Sequence, residues 1–565
     1  MAFQLSPGVL IQEVDLTQIV PAVSTSTGAF AGAFQWGPVN QVITVNTENN
    51  LVKYFGGPND NTYQSFFSAA NFLSYGNNLK LIRVVNESIA KNAVANAAAT
   101  AVIIRNDTDY LANWSAGGYG KGEFVARYPG VLGNSIKVAM VDANTWSNSW
   151  TYYSQFSGSP ATSTYVSSVG GSNDGLHIVV VDSTGAWTGA AGTILEKFGF
   201  LSKASDAKTQ NGTSNYYKSV INSSSQYVWS LDAPAAGTNW GSTAVNKAFT
   251  SLSTAYNANL VGGLSAEDSA NITTGNVLAG FNYFLDDSSY DISLMITGGW
   301  TSTAVVQGAV SIAETRKDVV VFVSPQITDV VNVTATQQPL NVVNTRNNTY
   351  NLNSSYAFMD SGWKYQYDRY NDTYRWMPLN PDIAGLCART DQTNDPWFSP
   401  GGYTRGQIKN VVKLAYNPTK TDRDTLYQAG VNPVINVPGQ GTILFGDKTQ
   451  LTMPSAFDRI NVRRLFITLE KAIGIASKYQ LFELNDAFTQ TQFRNILEPF
   501  LRDVQGRRGI TDYKVICDST NNTPEIVDSN QFVASIYVKP ARSINFITLT
   551  FVAARSGISF QEIGS

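Results

Sequence analysis

Cysteine and histidine are almost missing from this 565-residue chain, which has two of the first and one of the second. Cys387 and Cys517 show no Cys-x-x-Cys spacing, which excludes a disulfide framework and a cysteine zinc site and points to synthesis in a reducing cytosol. A single histidine excludes a histidine-rich metal site, and any Ser-His-Asp or Cys-His device would have to use it. It stands in Leu176-His-Ile-Val-Val-Val-Asp182, an apolar strand pattern in which a histidine is ordinarily packed or hydrogen-bonded. Charge is scarce too, at 14 % of residues against roughly 25 % in an average soluble domain. No apolar run approaches the length that spans a bilayer. The opening Met1-Ala-Phe-Gln-Leu-Ser-Pro-Gly8 lacks the basic and then apolar layout of a signal peptide, so triplets such as Asn211-Gly-Thr213 read as turns and not as glycan acceptors.

What is present is length, apolar residues (43 %) and a polarity carried by Asn, Ser, Thr and Tyr. The length exceeds a single core and implies three or four domains. Few charges among many uncharged polar groups suit strands, turns and broad contact surfaces. A net charge of −3 excludes nucleic acid and an acidic membrane as obvious partners. The charge is uneven: residues 401–565 hold 19 Lys and Arg against 14 Asp and Glu, while the first 400 residues are net acidic. The C-terminal part is therefore suited to an acidic partner, unless the difference is unrelated to binding.

Along the chain, residues 1–20 read as an extended arm whose strand formers Val9, Ile11 and Val14 have no local hairpin partner. Gly28–Phe34 has the pattern of a buried strand, and Phe66, Ala69, Ala70 and Leu73 fall at helical spacing before a strand at Leu79–Val85. Residues 91–185 turn rich in Ser, Asn and Gly and predict a mainly-β insertion. Residues 186–320 read as a second α/β domain, with a helix over Val305–Arg316 feeding a strand at Val319–Ser324. Val462, Phe466, Leu469, Ile473 and Ala476 mark a helix. Asn485-Asp486 caps the next one, in which Pro499 predicts a break or kink near Glu498. Strands are expected at Tyr513–Asp518 and Phe532–Lys539. A last run, with Phe546, Leu549 and Phe551, then Ile558 and Phe560, is again strand-forming and without a local partner.

Two motifs tempt towards chemistry. Gly439-Gln-Gly441 through Gly446-Asp-Lys-Thr449 nearly spells a phosphate loop. Asp447, however, displaces Lys448 and puts a negative charge where phosphate would sit, and Ile443-Leu-Phe445 reads as strand. Trp363, Tyr365 and Tyr367 share one face of a strand, with Asn371-Asp372 at a hairpin turn. Exposed, the ladder would stack on sugar rings; half-buried, it is cross-strand packing, the favoured reading. The carboxylates Asp360, Asp368, Asp372, Asp391 and Asp395 do not follow a calcium-loop spacing.

Several segments together resemble the tail sheath proteins of contractile-tailed phages of the T-even type. They are Leu5-Ser-Pro-Gly-Val9, Gly32-Ala-Phe-Gln-Trp-Gly-Pro38, Tyr367-Asp-Arg-Tyr-Asn371 and Asp382-Ile-Ala-Gly-Leu-Cys-Ala-Arg-Thr-Asp391. Further on come Pro396-Trp-Phe-Ser-Pro-Gly-Gly402, Pro438-Gly-Gln-Gly441, Phe445-Gly-Asp-Lys-Thr449, Asn461-Val-Arg-Arg-Leu-Phe466 and Gly506-Arg-Arg-Gly-Ile510. The resemblance implies an α+β multidomain chain. An N-terminal strand arm (1–20) and a C-terminal one (541–565) would serve a mixed α/β core domain at 451–540, adding strands in neighbouring copies. A middle domain would combine 21–90 with 321–450, and outer domains would occupy 91–185 and 186–320. It also implies a structural subunit, not an enzyme, without cofactor, catalytic residue or metal, located in the virion tail and in host cytoplasm during assembly. The implied partners are itself, six copies per ring, with a tail tube protein and baseplate and tail terminator proteins. Direct nucleic-acid contact and stable membrane insertion are not expected. Arg494, Arg502, Arg507 and Arg508 are the candidates to face an acidic tube, or alternatively to pair with Asp486, Glu498 or Asp503. A bacterial contractile injection system or tailocin, and a surface glycan-binding protein, stand as the alternatives.

Overall fold

The computed structural model describes residues 20, 23–95, 102–118, 120–235, 237–267, 271–545 and 548. The chain forms two units: the larger takes Val23–Asp395 and Pro400–Ile460, and the smaller includes Pro396–Ser399 and the chain from Asn461. It is an α+β multidomain chain.

In the larger unit, β1 (Gly28–Gly32), β2 (Val42–Val45) and β3 (Leu79–Arg83) precede an inserted stretch. That stretch holds β4 (Phe124–Ala126), β5 (Ile136–Asp142), β6 (Gly175–Asp182), β7 (Thr193–Ser202), β8 (Val228–Ser230) and β9 (Tyr256–Asn259). The chain then returns with β10 (Leu294–Ile296), β11 (Val320–Val323) and β12 (Ala357–Met359), completing one sheet in the order β12-β11-β10-β1-β3-β2. All neighbours are parallel except β2, which runs antiparallel to β3. Every residue of β1, β10, β11 and β12 is buried, as a parallel sheet covered on both faces requires. Helices Tyr63–Leu73, Thr274–Asn282, Thr303–Arg316 and Asn380–Thr393 pack on it. Glycine opens β1 for a steric reason: a Cβ on Gly28 would lie 2.6 Å from the Phe72 ring.

The insertion is built on the antiparallel sheet β7-β6-β5-β9, with β4 and β8 as a separate pair. Alternate residues of β6 enter two cores. Leu176, Ile178 and Val180 join Ile136, Val138 and Met140 on one face, while Val179 and Val181 join Ala139, Val141 and Trp150 on the other. The domain limit expected between 185 and 186 is not there, since β6 and β7, either side of it, pair in one sheet. The polar run that suggested a limit is the turn joining them. Likewise β10 and helix Thr303–Arg316, expected in a second outer domain, belong with the parallel sheet, a long-range pairing that local pattern does not reveal. The insertion runs from about residue 91 to 264, where Lys91 and Leu264 exchange two backbone hydrogen bonds of 3.0 Å.

After the parallel sheet come β13 (Trp363–Asp368), β14 (Thr373–Pro378) and β15 (Lys413–Leu414), which form a sheet in the order β14-β13-β15. The hairpin of β16 (Val434–Val437) and β17 (Gly441–Leu444) follows. The change of unit falls at Asn461 and not at 451, because Thr449 N donates to Asp458 O and Ile460 N to Asp447 O, holding that stretch to the hairpin's end.

The smaller unit packs helices Ile460–Lys478 and Ala487–Gly506 with β18 (Ile510–Ile516) and β19 (Ser535–Pro540). Asp486 caps the second helix, its Oδ1 accepting from Thr489 N at 2.8 Å. The break expected near Glu498 is absent, and the helix continues through Pro499. Pro499 is exposed while Phe493, Leu497, Leu501 and Val504 are buried before and after it, so the missing N–H lies on the wet side and packing holds the helix together. Residues 543–545, expected to begin a strand, have no regular structure.

Candidate assembly surface

Among the described residues, the smaller unit offers a sheet of two strands. Trp397, Leu465, Leu469, Leu501, Val504 and Ile510 form its core, and Tyr513, Val515, Ile536 and Val538 turn one sheet face onto it. Tyr513 Oη also donates to Glu498 O at 3.2 Å. β18 and β19 pair with each other, and among the described residues neither has a second neighbour on its outer edge, where N–H and C=O groups would accept a further strand. A two-stranded sheet is marginal by itself, and strand addition at such an edge is a recurrent way to complete it. The arm residues Val9, Ile11, Val14, Phe546, Leu549, Phe551, Ile558 and Phe560 lie outside the described residues.

Two of the four candidate arginines have a carboxylate one helical turn away. Arg494 Nε lies 3.9 Å from Glu498 Oε1, and Arg507 Nη1 lies 3.6 Å from Asp503 Oδ2, both as neighbours one helical turn apart. Arg507 also stands over the Trp397 ring at 5.3 Å, while its carbonyl accepts from Trp397 Nε1 at 3.0 Å. Arg502 and Arg508 are exposed, Arg508 with φ +66. Sequence reasoning missed the connection between the two helices. Tyr479, Leu481, Leu484 and Phe488 are exposed there, and Phe482 is fully exposed at φ +71, a left-handed conformation uncommon for a bulky residue. The signal was present as five large apolar residues in ten without a basic one.

Elsewhere the tempting motifs resolve into packing. His177 is buried against Phe156, stacked at 4.1 Å. Its Nδ1 accepts from Phe200 N (3.0 Å) and its Nε2 donates to Gly158 O (2.9 Å). Burial holds this imidazole below its ordinary pKa, in the neutral form those partners need. Gly439 to Gly441 is the turn of the β16–β17 hairpin, and Lys448 is engaged, its Nζ donating to Tyr427 O at 2.7 Å. Asp447 lies 3.6 Å from Arg459. Among the described residues, no group of three or more His, Cys, Asp or Glu is placed to hold a metal ion, and no helix is long and apolar enough to cross a membrane.

Comparison with known proteins decides the family. The chain is 35 % identical to the tail sheath protein of Enterobacteria phage T4, in an alignment covering 99 % of both chains. It belongs to the tail sheath protein family. Tail sheath proteins of Vibrio phage KVP40 and Salmonella phage ViI are 33 % and 31 % identical, covering 99 % of both chains and 100 % and 98 % respectively. Family models match as the phage tail sheath protein central domain (262–450), the phage tail sheath C-terminal domain (452–554) and the tail sheath protein Gp18 domain III N-terminal region (25–84). Solved sheath proteins share the fold. The sheath tail protein of Desulfitobacterium hafniense matches with TM-score 0.52 at 12 % identity, covering 94 % of this chain and 100 % of that one. That of Listeria innocua matches with TM-score 0.52 at 13 %, covering 92 % and 96 %. The contracted PVC sheath of an extracellular contractile injection system matches with TM-score 0.51 at 13 %, covering 98 % and 99 %. The sheath chain is thus a structural protein of the contractile-tail class, and its relatives are structural sheath proteins.

Proposed function

We propose that the chain polymerises as stacked rings of six copies around a tail tube and contracts to drive that tube through a host envelope. The observation that carries this reading is the β18–β19 sheet, whose outer edges have no partner among the described residues, in a chain whose two ends have strand-forming, apolar sequences. The ends, residues 1–20 and 541–565, serve as arms that add strands to this sheet in neighbouring copies. Each main-chain bond gained contributes about 0.5–1.5 kcal/mol net, and two arms engaging one assembly gain avidity beyond either alone. Head-to-tail contacts that do not close give an open helix. The extended state is metastable, and contraction moves subunits as rigid bodies while the arms stay attached. The energy resides in packing, so no nucleotide or other cofactor enters.

The partners on this reading are further copies, the tube protein, and baseplate and terminator proteins at the two ends of the sheath. Its place is the virion tail, reached from the host cytoplasm during assembly. Arg494, Arg502, Arg507 and Arg508 face an acidic tube. Electron microscopy of the purified chain tests the central claim: rings or hollow tubes are expected, and deletion of residues 1–20 or 541–565 abolishes them. A chain that stays monomeric at every concentration overturns it. For the tube contact, Arg507→Glu with Arg508→Glu weakens assembly on the tube at low salt; unchanged assembly removes these residues from that role.

A further inference from the structure

The sheet β14-β13-β15 is built inside out. On β13 the polar residues Lys364, Gln366 and Asp368 are buried, and the alternate face carries Tyr365 and Tyr367, opposite Trp376 and Tyr374 of β14. An antiparallel sheet ordinarily buries its apolar face and wets its polar one. Here the polar face is satisfied inside. Lys364 Nζ donates to Asp382 Oδ1 (2.8 Å), Gln366 Oε1 accepts from Asn71 Nδ2 (2.9 Å), and Asp368 Oδ2 accepts from Asn371 Nδ2 (2.8 Å). What faces outward is a shelf of four rings with neighbouring centroids 4.8 to 5.6 Å apart, on which Tyr367 and Tyr374 are 47 % and 49 % exposed. Lys413, paired across from Tyr365, stands over the Tyr365 and Trp376 rings at 5.0 and 5.6 Å, exposed and without a carboxylate partner among the described residues. Tyr and Trp beside a cation are the composition of an interface centre.

The same unit carries a surface of opposite character. Between Lys247 and Arg316 the chain contains no Lys or Arg. Within that span the loop from Tyr283 to Asp291 exposes Tyr283 and Leu285 beside Asp286, Asp287 and Asp291. Arg316 pins it, Nη1 donating to Phe284 O (2.6 Å) and Nη2 to Tyr290 O (3.0 Å). The two surfaces sit at opposite ends of the parallel strands. The acidic loop leads into the start of β10, and Arg316 closes the helix that leads into the start of β11. The shelf hairpin leaves from the finish of β12, and Trp363 Nε1 donates to Pro325 O (2.8 Å) just past the finish of β11.

We infer that the aromatic shelf is a subunit contact whose occupant is the acidic 283–291 loop of a second copy of this chain. This rests on the sheath reading above and adds a specific pairing to it. Rings meet Tyr283 and Leu285, and Lys413 meets the carboxylates, Asp287 foremost. Because donor and acceptor surfaces lie at opposite ends of one rigid sheet, the contact is head-to-tail and leaves a free surface at each end of the growing assembly.

The test is a charge exchange in the full-length chain, read as the critical concentration for polymerisation by sedimentation and electron microscopy. Lys413→Glu alone and Asp287→Lys alone are each expected to raise it by about tenfold, as like charges meet across the contact. The variant carrying both is expected to return to within about threefold of wild type, which a folding defect would not allow. Wild-type chain that polymerises while either single variant assembles equally well overturns the contact and leaves the sheath reading standing. Single variants that fail without rescue in the double variant overturn the pairing. A wild-type chain that does not polymerise overturns both.

Discussion

Asp360 shows how much of this molecule's chemistry is structural. Its carboxyl is wholly buried, accepting from Ser324 Oγ (2.6 Å) and Gly362 N (2.9 Å), and burial pushes its pKa up to about 8. In the unfolded chain the same group ionises near pH 4, so between about pH 4 and 8 the native state holds a proton that the unfolded state has released. The stability this group contributes is therefore full below about pH 4, declines at about 1.4 kcal/mol per pH unit and is gone above about 8. Asp360→Asn is expected to flatten that slope, seen as a smaller fall in the urea midpoint between pH 5 and 8.5 than in wild type. Nearby, Lys364 and Asp382 are an ion pair with both side chains inaccessible to water. Lys364→Met strands the carboxylate and is expected to cost about 3–5 kcal/mol, measured by the same denaturation. Little of this was legible in the sequence. A carboxylate among Ser and Gly reads as a turn, and only the packing of β11, β12 and helix Asn380–Thr393 takes it out of water. His177 was legible, because the six other residues of Leu176–Asp182 spelled a strand and left a histidine no role but packing.

At the scale of elements, periodicity located the helices of the smaller unit, and the Asp486 cap was readable because an acceptor followed by an apolar face has one meaning. Asp486→Ala is expected to cost about 1 kcal/mol, checked by chemical denaturation. Pro499 was misread. The rule that proline breaks a helix assumes a marginal helix, whereas this one is gripped by Leu497 and Leu501 on either side of the imino acid. Pro499→Ala accordingly restores a hydrogen bond to Asn495 O and raises stability, by up to about 3 kcal/mol; an unchanged midpoint would mean that the native helix has already relaxed around the ring. The β13–β14 hairpin was half legible. Alternation and the Asn371-Asp372 turn gave the pairing, and Asp372 does adopt φ +48 there. Which face turns outward was fixed by Asn71 and Asp382, residues of other elements that no local pattern names.

For the whole molecule, the family was legible because matching segments are spread in order along the chain, while the limits of its parts were not, since composition shifts follow turns and sheets follow long-range pairing. The insertion illustrates this. Lys91 and Leu264 are hydrogen-bonded neighbours, as are Val94 and Val261, so 170 or so residues leave and rejoin the chain at one place. Replacing 92–263 by a two-residue Gly-Asn turn, with Trp36→Ser to remove the ring that packs on Tyr128 and Trp187, is expected to leave a folded chain that still polymerises in electron micrographs. Aggregation of that variant without ordered polymer would show that the insertion is part of the assembly core.

The narrowness of that doorway has a consequence for how such chains change over time. The alignment with the phage T4 relative runs over 676 positions, more than the 565 residues of this chain, so homologues carry lengths absent here. A domain that enters and leaves through the adjacent Lys91 and Leu264 can be enlarged, trimmed or exchanged as long as its few other contacts with the frame, at Trp36, Val39 and Glu87, are kept. The shelf at 363–376 and 413, the loop at 283–291 and the strand pair at 510–540 all fall outside the doorway. What a copy displays and how copies recognise one another can therefore be inherited separately.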